Sequence, residues 1–195
     1  MRLNLGCSTD LRGGDCINVD LVAPTQSTSD VPIADARIAL FDLGLPWSWK
    51  DSSVEEIYAA DIFEHIGDCD HTWRMKCQKC CPNYHEIRYR HWSGRIHVMN
   101  EAWRVLKPGG ILAMECPDAA KGAGQWQDCT HVQPWTPNGI QYFQDGSPAW
   151  KRFHESYGIS ARFKVHSITE RSYTEMAGSC KCEVWKFTAI LEAIK

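Results

Sequence analysis

The sequence has no apolar run long enough to cross a bilayer, which takes about 20 residues, so no membrane span is expected. It has no basic excess: 21 Lys and Arg against 24 Asp and Glu leave a formal net charge of −3. Broad nucleic-acid binding leans on a basic surface that neutralises phosphates, and that electrostatic case is missing. No charged leader followed by an apolar segment opens the chain, so no signal peptide is expected and the protein reads as cytoplasmic. Internal repeats and low-complexity tracts are also missing. So is the spaced set of glycines that cradles a pyrophosphate. In "LNLGCSTDLRGGDCINVDL", residues 3–21, Ser8 and Asp10 stand where a second and third glycine would be expected.

What is present fits one α/β domain spanning residues 1–195, with ordinary globular proportions of 44% hydrophobic and 23% charged residues. Residues 2–7 and 16–20 read as buried strands. Residues 22–36, with two prolines and several Ser and Thr, read as loop. A short strand precedes Asp42, and another ends near Asp61. In "GRIHVMNEAWRVLKPGG", residues 94–110, Ile96, Met99, Trp103 and Leu106 recur at helical spacing, and "KPGG" ends the helix. Residues 111–117 form the next strand, 118–150 a long functional loop region, and two late strands fit 159–168 and 183–192. This rhythm argues for a mostly parallel sheet covered on both faces, with an antiparallel edge. Such sheets bind ligands at the carboxyl ends of their strands, where Gly6, Asp20, Asp42 and Asp61 converge.

Ten cysteines are many for a reduced compartment. Four of them fall in an insertion over residues 67–92, where a CxxC joins Cys77 to Cys80, Cys81 adjoins it and Cys69 lies upstream. Zinc takes four Cys or His donors in a tetrahedron, and a short insertion without a core gains one from a metal. Cys69, Cys77, Cys80 and Cys81 are the candidate ligands of a structural zinc, with His71 or His85 as substitutes. The other reading is a surface loop with free or oxidisable thiols. Cys180 and Cys182 could complete the site from a distance. The insertion is locally basic, which fits a solvated face or a patch that draws in an anionic partner.

Taken in order, "LNLGC", "INVD", "FDLGLPW", "AADIFEHI" and "MNEAWRVLKPGGILAMECPD" resemble the motifs of the class I S-adenosylmethionine-dependent methyltransferases. The resemblance runs from residue 2 to about 118. It implies a Rossmann-like, three-layer, seven-stranded sheet with its last strand antiparallel, the Cys-rich insertion following the fourth strand. It implies S-adenosylmethionine as cofactor, held by Asn4, Gly6, Cys7, Asp20, Leu21, Asp42, Leu43, Asp61 and Ile62. In that scheme Asp20 accepts from the ribose hydroxyls, Asp42 and the Leu43 backbone from the adenine amine, and Asp61 or the backbone of Ala59 and Ala60 from the methionine ammonium. With Ser8 and Asp10 in place of glycines, the first helix must be very short or absent.

A hydroxyl or amine acceptor must lose a proton, and histidine suits that near neutral pH. His131, in "QDCTHVQPWTP", and His65, in "FEHI", are the catalytic candidates, while His131 could instead merely hold its loop. Glu64 reads as a structural partner. Trp126, Trp135, Tyr142 and Phe143 could line an acceptor pocket or belong to the core. The expected activity is methyl transfer to O or N of a small-molecule or glycan-like acceptor. Two rivals stand beside it. One is a non-catalytic scaffold whose first loop no longer holds cofactor. The other is a nucleic-acid methyltransferase, from which "DIFEHI" departs where an Asn/Asp-Pro-Pro-aromatic motif would be expected.

Overall fold

A computed structural model describes residues 1–67, 93–177 and 180–195. The expected zinc ligands Cys69, Cys77, Cys80 and Cys81 lie outside the described residues. Seven strands form one sheet: β1 (Arg2–Leu5), β2 (Cys16–Asp20), β3 (Arg37–Leu40), β4 (Val54–Ala60), β5 (Leu106–Pro117), β6 (Phe163–Ala177) and β7 (Cys180–Ala193). Their order is β3-β2-β1-β4-β5-β7-β6. All pairings are parallel except those of β7, which runs antiparallel to both β5 and β6. Among the described residues the helices are α1 (Gly94–Val105) and α2 (Pro148–Tyr157), with 3-10 turns at Ile33–Asp35, Phe63–His65 and Pro137–Tyr142.

One face of the sheet is apolar because every second residue is. Leu3, Ile57, Leu112 and Leu191 stand in one cross-strand row, and Leu5, Ala59, Met114 and Ala189 in the next. All are buried, and they share a core with Val98, Met99, Ala102 and Val105 of α1. Ser93 caps this helix by accepting the Arg95 N–H. Gly94 is required at its start: a Cβ there would stand 2.0 Å from the Ile66 carbonyl oxygen. The helix stops at Val105, earlier than its sequence pattern suggests. Leu106 already pairs with Val54, and Ile111 with Glu56, so Lys107–Gly110 loop out of β5 as a bulge.

The opposite face carries a polar row, Asn18–Asn4–Tyr58, across β2, β1 and β4. A loop covers it where a doubly wound sheet usually places a helix. Asn4 Nδ2 donates to the Asp10 carbonyl (2.7 Å) and to Asn18 Oδ1 (3.0 Å). Asn18 in turn accepts from Arg12 N–H (2.8 Å) and donates to the Arg12 and Arg37 carbonyls. Leu11 is buried beneath the loop, and the Arg12 guanidinium lies 3.6 Å from the centre of the Tyr58 ring. Two buried amides thus satisfy loop backbone that a helix would have satisfied itself.

The late strands differ from their expected limits. Residues 159–161 are not strand, because the Asn100 carboxamide accepts the Ser160 and Ala161 N–H groups and takes them out of any ladder. The β6–β7 hairpin instead runs past the carboxyl end of β5, whose last pair is Pro117 with Lys186. The overhang reaches to the side of the sheet where β1, β2 and β4 end.

Candidate functional site

The carboxyl ends of β3, β2, β1 and β4 lie side by side. Gly6 follows β1 directly with φ +63°, and the N–H groups of Gly6 and Cys7 both donate to the Val19 carbonyl, at 2.8 and 3.2 Å. The turn is tight because Ile62 fills the space beside it: a Cβ on Gly6 would stand 2.6 Å from the Ile62 side chain. Asp20 closes β2. Its Oδ2 accepts the Ser8 N–H (2.8 Å), and its Oδ1 accepts those of Leu21 (2.7 Å) and Val22 (3.3 Å). The Cys7 thiol also approaches Oδ2 at 4.0 Å, so all of the roughly four acceptor positions of the carboxylate have a donor, the thiol being the weakest. Leu21 and Val22 are 66% and 72% exposed, an apolar shelf next to that carboxylate. Asp42 accepts the Gly44 N–H through one oxygen (2.8 Å).

Other residues expected at the cofactor are turned elsewhere. Asn4 is 2% exposed and committed to Asp10 and Asn18, so it shapes the loop rather than facing the strand ends. Cys7 is buried with its thiol 4.0 Å from Asp20, and burial together with that charge pushes it up to about 11. Leu43 is buried, and its carbonyl accepts the Trp47 indole N–H at 3.1 Å. Asp61 has φ +50° and pairs with Lys186 of β7. Burial alone would lower the Lys186 ammonium, but the Asp61 hydrogen bond and charge raise it overall.

Asp61 also belongs to a pocket of about 270 Å³. Glu64 and His65 from the turn after β4 line it, with Asp128 and His131 from the loop after β5 and Tyr173, Glu175 and Lys186 from the hairpin. The two histidine rings meet edge to face, centroids 4.6 Å apart. His131 Nδ1 lies 3.2 Å from the Gln125 carbonyl, which can only accept, so Nδ1 carries the proton. Its Nε2 then presents a lone pair toward Asp128 Oδ2 at 3.7 Å and Glu64 Oε1 at 4.0 Å. The Thr130 hydroxyl donates to Asp128 (2.6 Å) and stands 3.0 Å from His65 Nδ1, which must therefore donate to it. Burial and the neighbouring His131 lower the His65 pKa.

Glu64 departs most from expectation. Its backbone carbonyl does serve structure, accepting the Val132 and Gln133 N–H groups at 2.9 Å. Its carboxylate, 0% exposed, has no hydrogen-bond partner on either oxygen. Burial, with the Asp61 charge adding, pushes it up to about 7. The fully buried Cys116 thiol is its electrostatic neighbour and is itself pushed up by burial.

The candidate acceptor aromatics sit elsewhere. Trp135, Tyr142 and Phe143 line a second cavity of about 390 Å³ with Ser93, Ile96 and Tyr157. Trp126 is 66% exposed, its indole N–H on the Ala119 carbonyl. Sequence reasoning missed Tyr173, Glu175 and Lys186, because nothing in the strand pattern shows that the hairpin overhangs the site. The Glu64–His65 pair and Asp128-x-Thr130-His131 were the legible signals.

No protein-family model and no curated protein matches this chain. Solved structures do. An S-adenosylmethionine-dependent methyltransferase of Methanosarcina mazei superposes with a TM-score of 0.55 at 12% identity, over 99% of this chain and 92% of that one. A candidate methyltransferase of Bacillus halodurans gives 0.57 at 10% identity, over 100% and 92%. Phosphoethanolamine N-methyltransferase 2 of Haemonchus contortus gives 0.50 at 12% identity, over 100% of this chain and 48% of that one. With the strand order β3-β2-β1-β4-β5-β7-β6 and a single antiparallel strand, the chain has the fold of the class I S-adenosylmethionine-dependent methyltransferases.

Proposed function

We propose that the chain is an S-adenosylmethionine-dependent methyltransferase acting on an oxygen or nitrogen of a small-molecule or glycan-like acceptor. One observation carries this reading: Asp61 joins the strand-end edge of Gly6, Asp20 and Asp42 to the pocket of His65 and His131. A cofactor on the edge and an acceptor in the pocket would be neighbours. At about 270 Å³ the pocket suits a compact acceptor group.

The residues at the edge fit the cofactor. The Gly6 turn lets backbone come close to its methionine moiety. A ribose hydroxyl would replace the weak Cys7 thiol contact on Asp20, and Leu21 offers an apolar surface to a purine. Asp42 has its second oxygen for the adenine amine, and the Asp61 oxygen not engaged by Lys186 suits an ammonium. Ile62 sets the width of the turn, while Asn4 and Cys7 support it from behind and Leu43 packs into the core. The cofactor supplies a methyl group already activated on a sulfonium, so alignment with the nucleophile supplies the rate. His131 Nε2 is the group that takes or directs the acceptor proton. His65 holds Thr130 and the loop that carries His131.

Asp20 invites a second reading, because three backbone N–H groups already occupy it. In a scaffold protein it would hold the loop and nothing else. Calorimetric titration with S-adenosylhomocysteine separates the two. The enzyme reading expects binding in the micromolar range, weakened at least tenfold in Asp20→Asn. A folded protein that ignores the ligand sinks it. Metal content of the purified chain tests the structural zinc proposed for Cys69, Cys77, Cys80 and Cys81.

A further inference from the structure

We propose that Glu64, His65 and His131 form a binding site for a divalent transition-metal ion inside the acceptor pocket, with Asp128 at its margin. One ligand-capable atom from each of the three lies within 4.8 Å of the others. Nitrogen and oxygen donors around a metal at ~2.1 Å stand roughly 3.4 Å apart in a tetrahedron, so small side-chain rotations close the cluster.

Three features favour an ion there. The first is the tautomers. Gln125 fixes the proton on Nδ1 of His131, and the Thr130–Asp128 pair fixes it on Nδ1 of His65. Both rings keep Nε2 as a lone-pair donor, the state in which outer partners hold metal-binding histidines. The second is Glu64. An ionised carboxylate at 0% exposure without a hydrogen-bond donor is costly, and a cation removes that cost. The nearby Lys186 ammonium is already engaged by Asp61. The third is the direction of His131 Nε2, which faces two carboxylates at 3.7 and 4.0 Å. A ring nitrogen and two carboxyl oxygens turned toward one point form a donor set for a cation that enters there.

Two imidazoles with one or two carboxylates suit zinc, iron(II) or manganese(II), and leave positions open toward the pocket. The ion's use in catalysis rests on the methyltransferase reading, whereas the site itself does not. An acceptor hydroxyl bound at an open position would become more acidic. Its proton would pass to the half-exposed Asp128 and on to water. The oxygen would then form its bond to the methyl carbon as the carbon–sulfur bond breaks, and that electron pair would stay on sulfur as S-adenosylhomocysteine leaves. His131 and His65 would thereby act through the ion rather than as free bases, and the acceptor atom would be oxygen.

The test is cobalt(II) titration of the chelator-stripped full chain, without cofactor, followed by visible absorption. Cobalt on nitrogen and oxygen lacks the intense thiolate charge-transfer band, so a cysteine site is told apart. We expect one such cobalt per chain, its affinity lowered at least about tenfold in both His131→Ala and the near-isosteric Glu64→Gln, with thermal melting to verify that each variant folds. Cobalt bound only through thiolates, or equally well by wild type and both folded variants, overturns the proposal. Homocysteine-product binding is measured on the same stripped protein. Binding there without a nitrogen–oxygen cobalt site defeats the metal alone, and cobalt uptake without it defeats the methyltransferase reading alone.

Discussion

Replacing Asn18 by alanine should destabilise the protein by about 3 kcal/mol. Its amide makes hydrogen bonds with Asn4 (3.0 Å), Arg12 N–H (2.8 Å) and the Arg12 carbonyl (2.9 Å), and a longer one with the Arg37 carbonyl (3.3 Å). Three good bonds at about 1 kcal/mol net each give that figure. Water reaches the half-buried Arg12 groups in the variant and limits the loss, while Asn4 keeps the Asp10 carbonyl. Chemical denaturation should show a lower midpoint at unchanged slope, and the melting temperature should fall by roughly 6–12 °C. Asn18→Asp should cost more at neutral pH, because it keeps the acceptor, loses both donations and buries a charge at a fully buried position. Affinity for S-adenosylhomocysteine should fall as well, since the loosened loop carries Ser8, whose N–H orients Asp20. A loss below about 1 kcal/mol with ligand affinity intact would refute the argument that these amides stand in for the missing first helix.

Two more outcomes follow from the strand-end edge. Gly6→Ala meets both a positive φ and the Ile62 side chain at 2.6 Å, so it should cost a few kcal/mol. The double variant with Ile62→Ala loses the Cγ1 and Cδ1 clashes but keeps the Cβ at 2.6 Å, so it should recover only a minor part, and Ile62→Gly more, with the backbone strain left in both, as read by denaturation midpoints. The Cys7 thiol is held up to about 11 by burial and by Asp20, so it should resist alkylation at pH 8 while the exposed Cys129 reacts. The native state also keeps a Cys7 proton that the unfolded chain releases above about pH 9, and stability should drop as pH rises from there. Mass mapping of alkylated peptides and melting curves from pH 8 to 10 check both. Cys7 modified as fast as Cys129 in the folded protein would contradict its assigned burial.

Much of the sheet was legible because β1, β4, β5 and β7 alternate apolar and polar residues toward one covered face. Asp20 and Asp61 fell at strand ends as expected, since short strands end where the apolar run ends. Other parts obeyed rules that periodicity does not carry. The end of α1 is set by where Leu106 must pair with Val54, not by the helical spacing that still included Leu106. The start of β6 is set by Asn100 capturing the Ser160 and Ala161 N–H groups, a contact across sixty positions of sequence. Asn4 read as a cofactor contact because of its place beside Gly6, yet within a strand successive side chains point to opposite faces, and its face is the one the loop covers. Glu64 looked structural for a similar reason: its backbone is, and only the packed structure isolates its carboxylate among two histidines.

The missing helix after β1 also bears on which nucleotide the edge accepts. In dinucleotide-binding sheets a helix N-terminus presents N–H groups and a positive dipole end to a pyrophosphate. Here residues 6–15 hold no helix, and the N–H groups of Gly6, Cys7 and Ser8 are already taken by the Val19 carbonyl and Asp20. Among the described residues the surrounding side chains are Asp20, Asp42 and Asp61, and only the last is neutralised by a lysine. As the described residues form it, the edge is therefore poor in donors and negative in charge. It should repel the two phosphates of a dinucleotide and favour a ligand whose charged groups include a sulfonium and an ammonium. Calorimetric titration with NADH should give no binding at concentrations where S-adenosylhomocysteine saturates. The preference should narrow as salt rises from 50 to roughly 500 mM, because screening shortens the reach of the carboxylates to a few ångströms. If NADH bound as tightly as the sulfur nucleoside, the donor-poor edge could not be what selects the cofactor, and the glycine-depleted loop would have to open into a conformation that frees its N–H groups.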